Sequence, residues 1–158
     1  MVALLVETLQ CFERSCFPAH FTDSALILSA NRTRTLLHHH RKLDRWLQFG
    51  GHCDGDSDVL AVARREAEEE SGIESLALWN LKPFDLDIHK IPPRGEEPEH
   101  WHYDIRYLFV APPDAVFRQS AESRELRWFT PEEMGALPLD TGLRRLIAKW
   151  RVLIATGS

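Results

Sequence analysis

Between Arg64 and Glu70 the chain reads Arg-Arg-Glu-Ala-Glu-Glu-Glu, four glutamates within five residues. A helix is predicted over Asp58 to Ser71, with Gly72 in the usual place just past a helix end. The glutamates therefore crowd the C-terminal turns, where the helix dipole favours cations. Glu66 and Glu70 are also a like-charged i,i+4 pair, which weakens a helix. Such a run is ordinarily a solvated acidic face, but azimuth argues otherwise. At about 100° per residue, Val59, Val62, Ala63, Glu66, Glu69 and Glu70 fall within about 120° of one another, while Glu68 points away. A stripe that is apolar in the first two turns becomes a stripe of carboxylates in the later ones. Like charges turned toward a core are costly unless something positive neutralises them, and Arg65 can pair with only part of this set. A hard divalent cation such as Mg²⁺ takes oxygen ligands and shares its remaining positions with water and substrate phosphates. The upstream Gly50-Gly51-His52 permits close backbone approach, so a glycine carbonyl is a further candidate ligand. Loop and helix together point to metal-assisted hydrolysis.

The rest of the chain reads as one mixed α/β domain over residues 1–158, with helices covering a sheet. A short amphipathic helix is predicted in the first dozen residues. Ala25 to Leu28 and Thr35 to His38 make a hairpin, and Lys42 to Ser57 a loop. Strands are predicted at Leu76 to Trp79, Phe84 to Ile91, Tyr103 to Ala111 and Leu126 to Phe129. In the third of these, Tyr103, Ile105, Tyr107 and Phe109 alternate onto one face. Thr130-Pro131-Glu132-Glu133 has the makings of a capped helix start, and Leu143, Leu146, Ile147, Trp150 and Leu153 stripe a last helix. Three cysteines, Cys11, Cys16 and Cys53, sit in no CxxC pattern, which disfavours a disulfide framework or a zinc knuckle. With 19 Lys and Arg against 24 Asp and Glu, the net charge is −5. That balance disfavours a nucleic-acid partner. No segment approaches the about 20 apolar residues that span a bilayer, and no secretory signal is evident, so no membrane partner and a cytoplasmic location are expected.

The segment Gly51-His52-Cys53-Asp54-Gly55-Asp56-Ser57, followed by Arg65-Glu66-Ala67-Glu68-Glu69-Glu70-Ser71-Gly72-Ile73, resembles the Nudix box of the Nudix hydrolase superfamily. That box reads G-x5-E-x7-R-E-U-x-E-E-x-G-U, where U is a bulky apolar residue. Ser57 stands where the first glutamate belongs, Ala67 is small for its apolar position, and Phe49 stands where proline often precedes the paired glycines. The resemblance implies a Nudix-type α/β/α sandwich with a mixed β-sheet between helices. It implies Mg²⁺ or Mn²⁺ held by Glu66, Glu69, Glu70 and the Gly51 carbonyl, with Arg65 orienting the glutamates. It further implies hydrolysis of a pyrophosphate bond in a nucleoside diphosphate linked to another moiety. In this superfamily the general base is a box glutamate or one from a distal loop, which makes Glu122 and Glu125 candidates. Homodimers are common among members. A catalytically weak Nudix-like module that binds such a ligand as a sensor is the alternative, and Ser57 is the feature that favours it.

Two further groups are candidates for substrate contact. Lys42 and Arg45 belong to a basic run beginning at His38 and are placed to hold phosphates. His100, His102 and Asp104 share a face at period two, and His52 and His89 can join them around the site. They would contact substrate or form a second metal site, to which imidazole brings a preference for Zn²⁺ or Mn²⁺ over Mg²⁺. Cys53, beside the box but without an activator, is assigned no catalysis.

Overall fold

The computed structural model describes residues 1–156. A short helix α1 (Val2–Glu7) and a 3₁₀ turn (Leu9–Phe12) lead into β1 (Ala19–Leu28). There follow β2 (Thr35–His40), β3 (Arg45–Leu47), α2 (Val59–Ser71), β4 (Ala77–Leu78) and β5 (Asp85–Ile91). The chain continues through β6 (His100–Val110), β7 (Ser123–Phe129), α3 (Pro131–Gly135) and α4 (Thr141–Thr156). Seven strands form one mixed sheet in the order β3-β2-β1-β6-β4, with β5 also on β6 and β7 on β2. The central pair, β1 and β6, is parallel in register from Ala19↔Trp101 to Leu28↔Val110, and the other pairings are antiparallel.

All of β1 is buried, so successive side chains enter opposite layers. Phe21, Ala25 and Ile27, with Tyr107 and Phe109 of β6, pack beneath Val59, Ala63 and Ala67 of α2. Leu26, Leu28 and Leu108 pack on the other face against Leu143, Leu146, Ile147 and Trp150 of α4. The architecture is thus helix, sheet, helix, and β6 alternates as its sequence predicts.

The ends of α2 follow local rules. Asp58 caps the N-terminus by accepting the Ala61 N–H at 3.0 Å. Gly72 ends the helix in the left-handed region at φ +66°. Thr130 and Glu133 form the reciprocal capping box predicted for α3. Other boundaries differ from expectation. The N-terminal helix breaks at Thr8, and Met1 and Leu4 pack against the core while Val2 and Val6 are exposed. β1 starts six residues earlier than its apolar run, because His20, Thr22, Asp23 and Ser24 are buried polar residues within a strand. The short β3 occupies a stretch that reads as loop, and the Leu76 to Trp79 run yields only two strand residues.

Candidate active site

Loop 49–52 lies against β1. The Asp23 N–H donates to the Gly51 carbonyl at 3.2 Å, and the Ala25 N–H to that of Phe49 at 2.8 Å. Gly50, at φ +138°, sits so close to β1 that a Cβ would stand 2.3 Å from the Asp23 carbonyl oxygen. Only glycine allows this approach. From above, α2 brings Glu70, whose Oε2 accepts the Gly50 N–H at 3.2 Å. It also brings Glu66, whose Oε2 lies 3.5 Å from where a Cβ on Gly51 would be. Arg65 Nη2 reaches Glu66 Oε1 at 3.3 Å, an exposed pair that steers the carboxylate.

The most deeply buried member of this group is Asp23. It is 2% exposed, and neither carboxylate oxygen has a hydrogen-bond partner among the described residues. Burial, reinforced by the negative charges of Glu66 and Asp104, pushes its carboxyl up to about 7. Glu70 rises to about 8; burial outweighs the Gly50 N–H, and the charges of Glu122, Glu66 and Asp23 add to the rise. A buried carboxylate without a partner is expensive, and three carboxylates facing the same glycine loop repel one another. The donors present (Asp23, Glu66, Glu70 and the Gly51 carbonyl) are all oxygens, the set that suits Mg²⁺ or Mn²⁺.

The predicted trio of glutamates does not share one environment. Glu70 is buried, the Glu66 side chain is 25% exposed, and Glu69 is exposed. Ala67 and Ser71 take core positions, so the buried arc of α2 is rotated toward them and Glu69 is carried to the flank. There it lines an open groove of about 490 Å³ with Arg65, Glu68, Leu78 and Leu81. Glu68 accepts the Leu76 N–H at 3.3 Å, while the Arg64 guanidinium donates to the Leu76 carbonyl, and together they fix the turn after α2.

Of the two distal glutamates, Glu122 comes near enough to Glu70 to act on its ionisation. It precedes β7, where its carbonyl accepts the Arg41 N–H at 2.8 Å. Glu125 lies within β7, exposed and paired in register with His39. Lys42 and Arg45 are exposed in the β2–β3 turn and at the start of β3. Cys53 is buried, and burial raises its thiol to about 12, which leaves it unreactive.

On the opposite face of β1 and β6 the histidines gather. His20 and His102 are register partners, and their rings lie 4.8 Å apart. His52 is 5.2 Å and His89 5.4 Å from the His102 ring, and His100 Nε2 is 3.3 Å from His102 Nε2. Burial lowers His20 to about 4 and His102 to about 2, with neighbouring imidazoles adding to the fall for both, so both are neutral at pH 7. Asp104, the third residue of the period-two pattern, instead accepts from Ser24 at 2.9 Å and from Arg106 at 2.6 Å. Sequence reasoning missed Asp23 and His20. Both precede the apolar run of β1, and the one available cue was that β6 carries polar residues in alternation, which a parallel neighbour has to match.

The NUDIX domain model matches residues 20–150. No curated protein gives a significant match. Among solved structures, an Ap4A hydrolase binary complex from C. elegans superposes with TM-score 0.65 at 18% identity, covering 86% of this chain and 98% of that one. A NUDIX-family hydrolase from Clostridium perfringens gives TM-score 0.63 at 21% identity, covering 85% and 97%. The E. coli dihydroneopterin triphosphate pyrophosphohydrolase gives 0.60 at 18%, covering 80% and 91%. These likenesses show a common fold, and the domain match spans the glycine loop, α2 and both strands of the central pair. The chain belongs to the Nudix hydrolase superfamily.

Proposed function

We propose that the chain is a metal-dependent hydrolase that cleaves a pyrophosphate bond in a nucleoside diphosphate linked to another moiety. The observation that carries this reading is Asp23, whose buried oxygens lack partners and face Glu66 and Glu70 across the paired glycines. Bound there, Mg²⁺ or Mn²⁺ would polarise a phosphoryl oxygen and lower the pKa of a water. Asp23, Glu66, Glu70 and the Gly51 carbonyl are the residues to hold it, with Glu69 reaching in from the flank.

The protein's own contributions follow from the geometry. The Gly50 N–H anchors one oxygen of Glu70 and leaves the other for the site, while Arg65 holds Glu66 in place. Glu122, beside Glu70, takes the proton of the attacking water. The water oxygen bonds to phosphorus as the bridging P–O bond breaks, and the bridging oxygen leaves with the second product. Lys42 and Arg45 supply positive charge for the phosphates; His52 follows the glycine loop, but its ring sits among the histidines, 5.2 Å from that of His102. The names of two structural neighbours, an Ap4A hydrolase and a pyrophosphohydrolase, support the bond class, and the acidic balance supports a small molecule over nucleic acid.

Ser57 in place of the box glutamate favours a second reading, a module that binds the same ligands without cleaving them. Phosphate release from a panel of nucleoside diphosphate derivatives with Mg²⁺ separates the two. Turnover is expected in wild type, with a fall on the order of 10²–10³-fold in Glu70→Gln, the scale for losing one preorganised electrostatic contact. Binding without turnover across the panel would establish the module instead.

A further inference from the structure

We propose that His20, His100 and His102 form a binding site for one Zn²⁺-class cation, on the face of the β1–β6 pair opposite the carboxylate cleft. These three offer ring nitrogens that all lie within 4.8 Å of one another, and two independent features mark the group as a ligand set rather than a packed polar patch.

The first is the orphaned nitrogen of His20. The residue is 1% exposed, and its Nε2 has no hydrogen-bond partner among the described residues. The rings of His52, His100 and His102 surround the His20 ring, centre to centre, at 5.3, 5.0 and 4.8 Å. A buried acceptor of this kind is costly unless something positive meets it.

The second is how the rings are held. His20 Nδ1 is 3.2 Å from the Cys16 carbonyl, and His100 Nδ1 is 2.8 Å from the Pro98 carbonyl. A carbonyl only accepts, so each Nδ1 carries the proton and each Nε2 presents its lone pair to the cluster. Metal-ligating histidines are oriented by this arrangement of one nitrogen to a carbonyl or carboxylate and the other to the ion. His89 repeats it at the rim, with Nδ1 3.1 Å from Asp87 Oδ2.

Distances agree with the same ion. With Zn–N of about 2.0–2.1 Å, neighbouring ligand nitrogens of a tetrahedral site lie about 3.3 Å apart. The His100–His102 separation, here a hydrogen bond between the two rings, is 3.3 Å, and the third nitrogen, within 4.8 Å of both, needs up to about 1.5 Å of ring motion to reach the same spacing. Three imidazole nitrogens select zinc over magnesium. The fourth position falls to water or to His89, as in sites that keep one position open.

The proposal stands apart from the hydrolase reading, because its ligands, metal and face of the sheet all differ. The test is equilibrium dialysis of chelator-stripped protein against Zn²⁺ in excess Mg²⁺, with the Co²⁺ absorption spectrum as a second readout and circular dichroism as the check on folding. One Zn²⁺ per chain and a tetrahedral Co²⁺ spectrum are expected. In His102→Asn, a change at a half-buried ring, affinity should fall by more than the about 10–100-fold typical of losing a ligand's hydrogen-bond partner. Glu70→Gln should bind Zn²⁺ like wild type. The proposal is overturned if wild type takes up no Zn²⁺, if folded His102→Asn and His100→Asn bind as tightly as wild type, or if Glu70→Gln abolishes uptake.

Discussion

Asp23 carries a conflict that a single substitution resolves. Its folded-state carboxyl titrates near 7 against an ordinary 3.8, so between those values the folded chain binds a proton that the unfolded chain has lost. Stability therefore falls as pH rises through this window. Without divalent cation, Asp23→Asn should be more stable than wild type at pH 8 by about 1–3 kcal/mol, at 1.36 kcal/mol per unit. Urea denaturation in chelator at pH 5 and pH 8 checks this, and the gap between the two proteins should be smaller at pH 5. With Mg²⁺ the order should reverse, since the asparagine no longer supplies a charged ligand. Gly50→Ala offers a contrasting case. Its Cβ would meet the Asp23 carbonyl at 2.3 Å and impose strain at φ +138°, a cost of at least about 1–3 kcal/mol in thermal or urea unfolding at any pH.

At the scale of elements, α2 shows what a local pattern can and cannot say. Its start, its end and its apolar stripe are legible because capping and periodicity depend on near neighbours. Asp58→Ala should lower stability by about 0.5–2 kcal/mol in chemical denaturation, with the cap to Ala61 lost. The orientation of the acidic turns is less legible. Glu66 and Glu70 do turn toward the glycine loop, but Glu69 is exposed on the flank, since the buried arc runs through Ala67, Glu70 and Ser71. Nothing within the helix fixes that arc; it is set by the sheet beneath. The start of β1 is hidden for a related reason. Buried polar residues resemble loop until the partner strand supplies Asp104 to Thr22 and Ser24. The capping box of α3 is closed entirely within four residues, and it is legible in full.

Across the whole molecule, one charge network joins the sheet to the α4 layer. Arg106, 3% exposed, reaches Asp104 at 2.6 Å, Asp87 at 2.9 Å and Asp85 at 3.5 Å. Arg145 and Lys149 of α4 close on Asp85 at 2.6 Å each. Gly142 makes room, since a Cβ there would stand 2.8 Å from the guanidinium. Arg106→Ala should cost about 3–5 kcal/mol, because it leaves buried carboxylates uncompensated; thermal unfolding measures it. The acid profile should have two stages. Burial holds His20 and His38 near 4 and His102 near 2, so their contribution to stability falls from about 6.5 downward, opposed in the same range by the raised carboxyl of Asp23. Burial opposes ionisation of Asp85 and Asp87, but their Arg and Lys partners prevail and hold both below 3.8. Their contribution is intact above 3.8 and lost below it, a second decline visible in pH-jump denaturation.

The parallel pairing of β1 with β6 also governs timing. Ala19 meets Trp101, so the central ladder joins segments some eighty positions apart, and contacts of such long range form slowly. During synthesis, the underside of α2 has only part of its seat until β6 emerges. The nascent chain is expected to depend on chaperones until that strand arrives, and to aggregate if truncated ahead of His100.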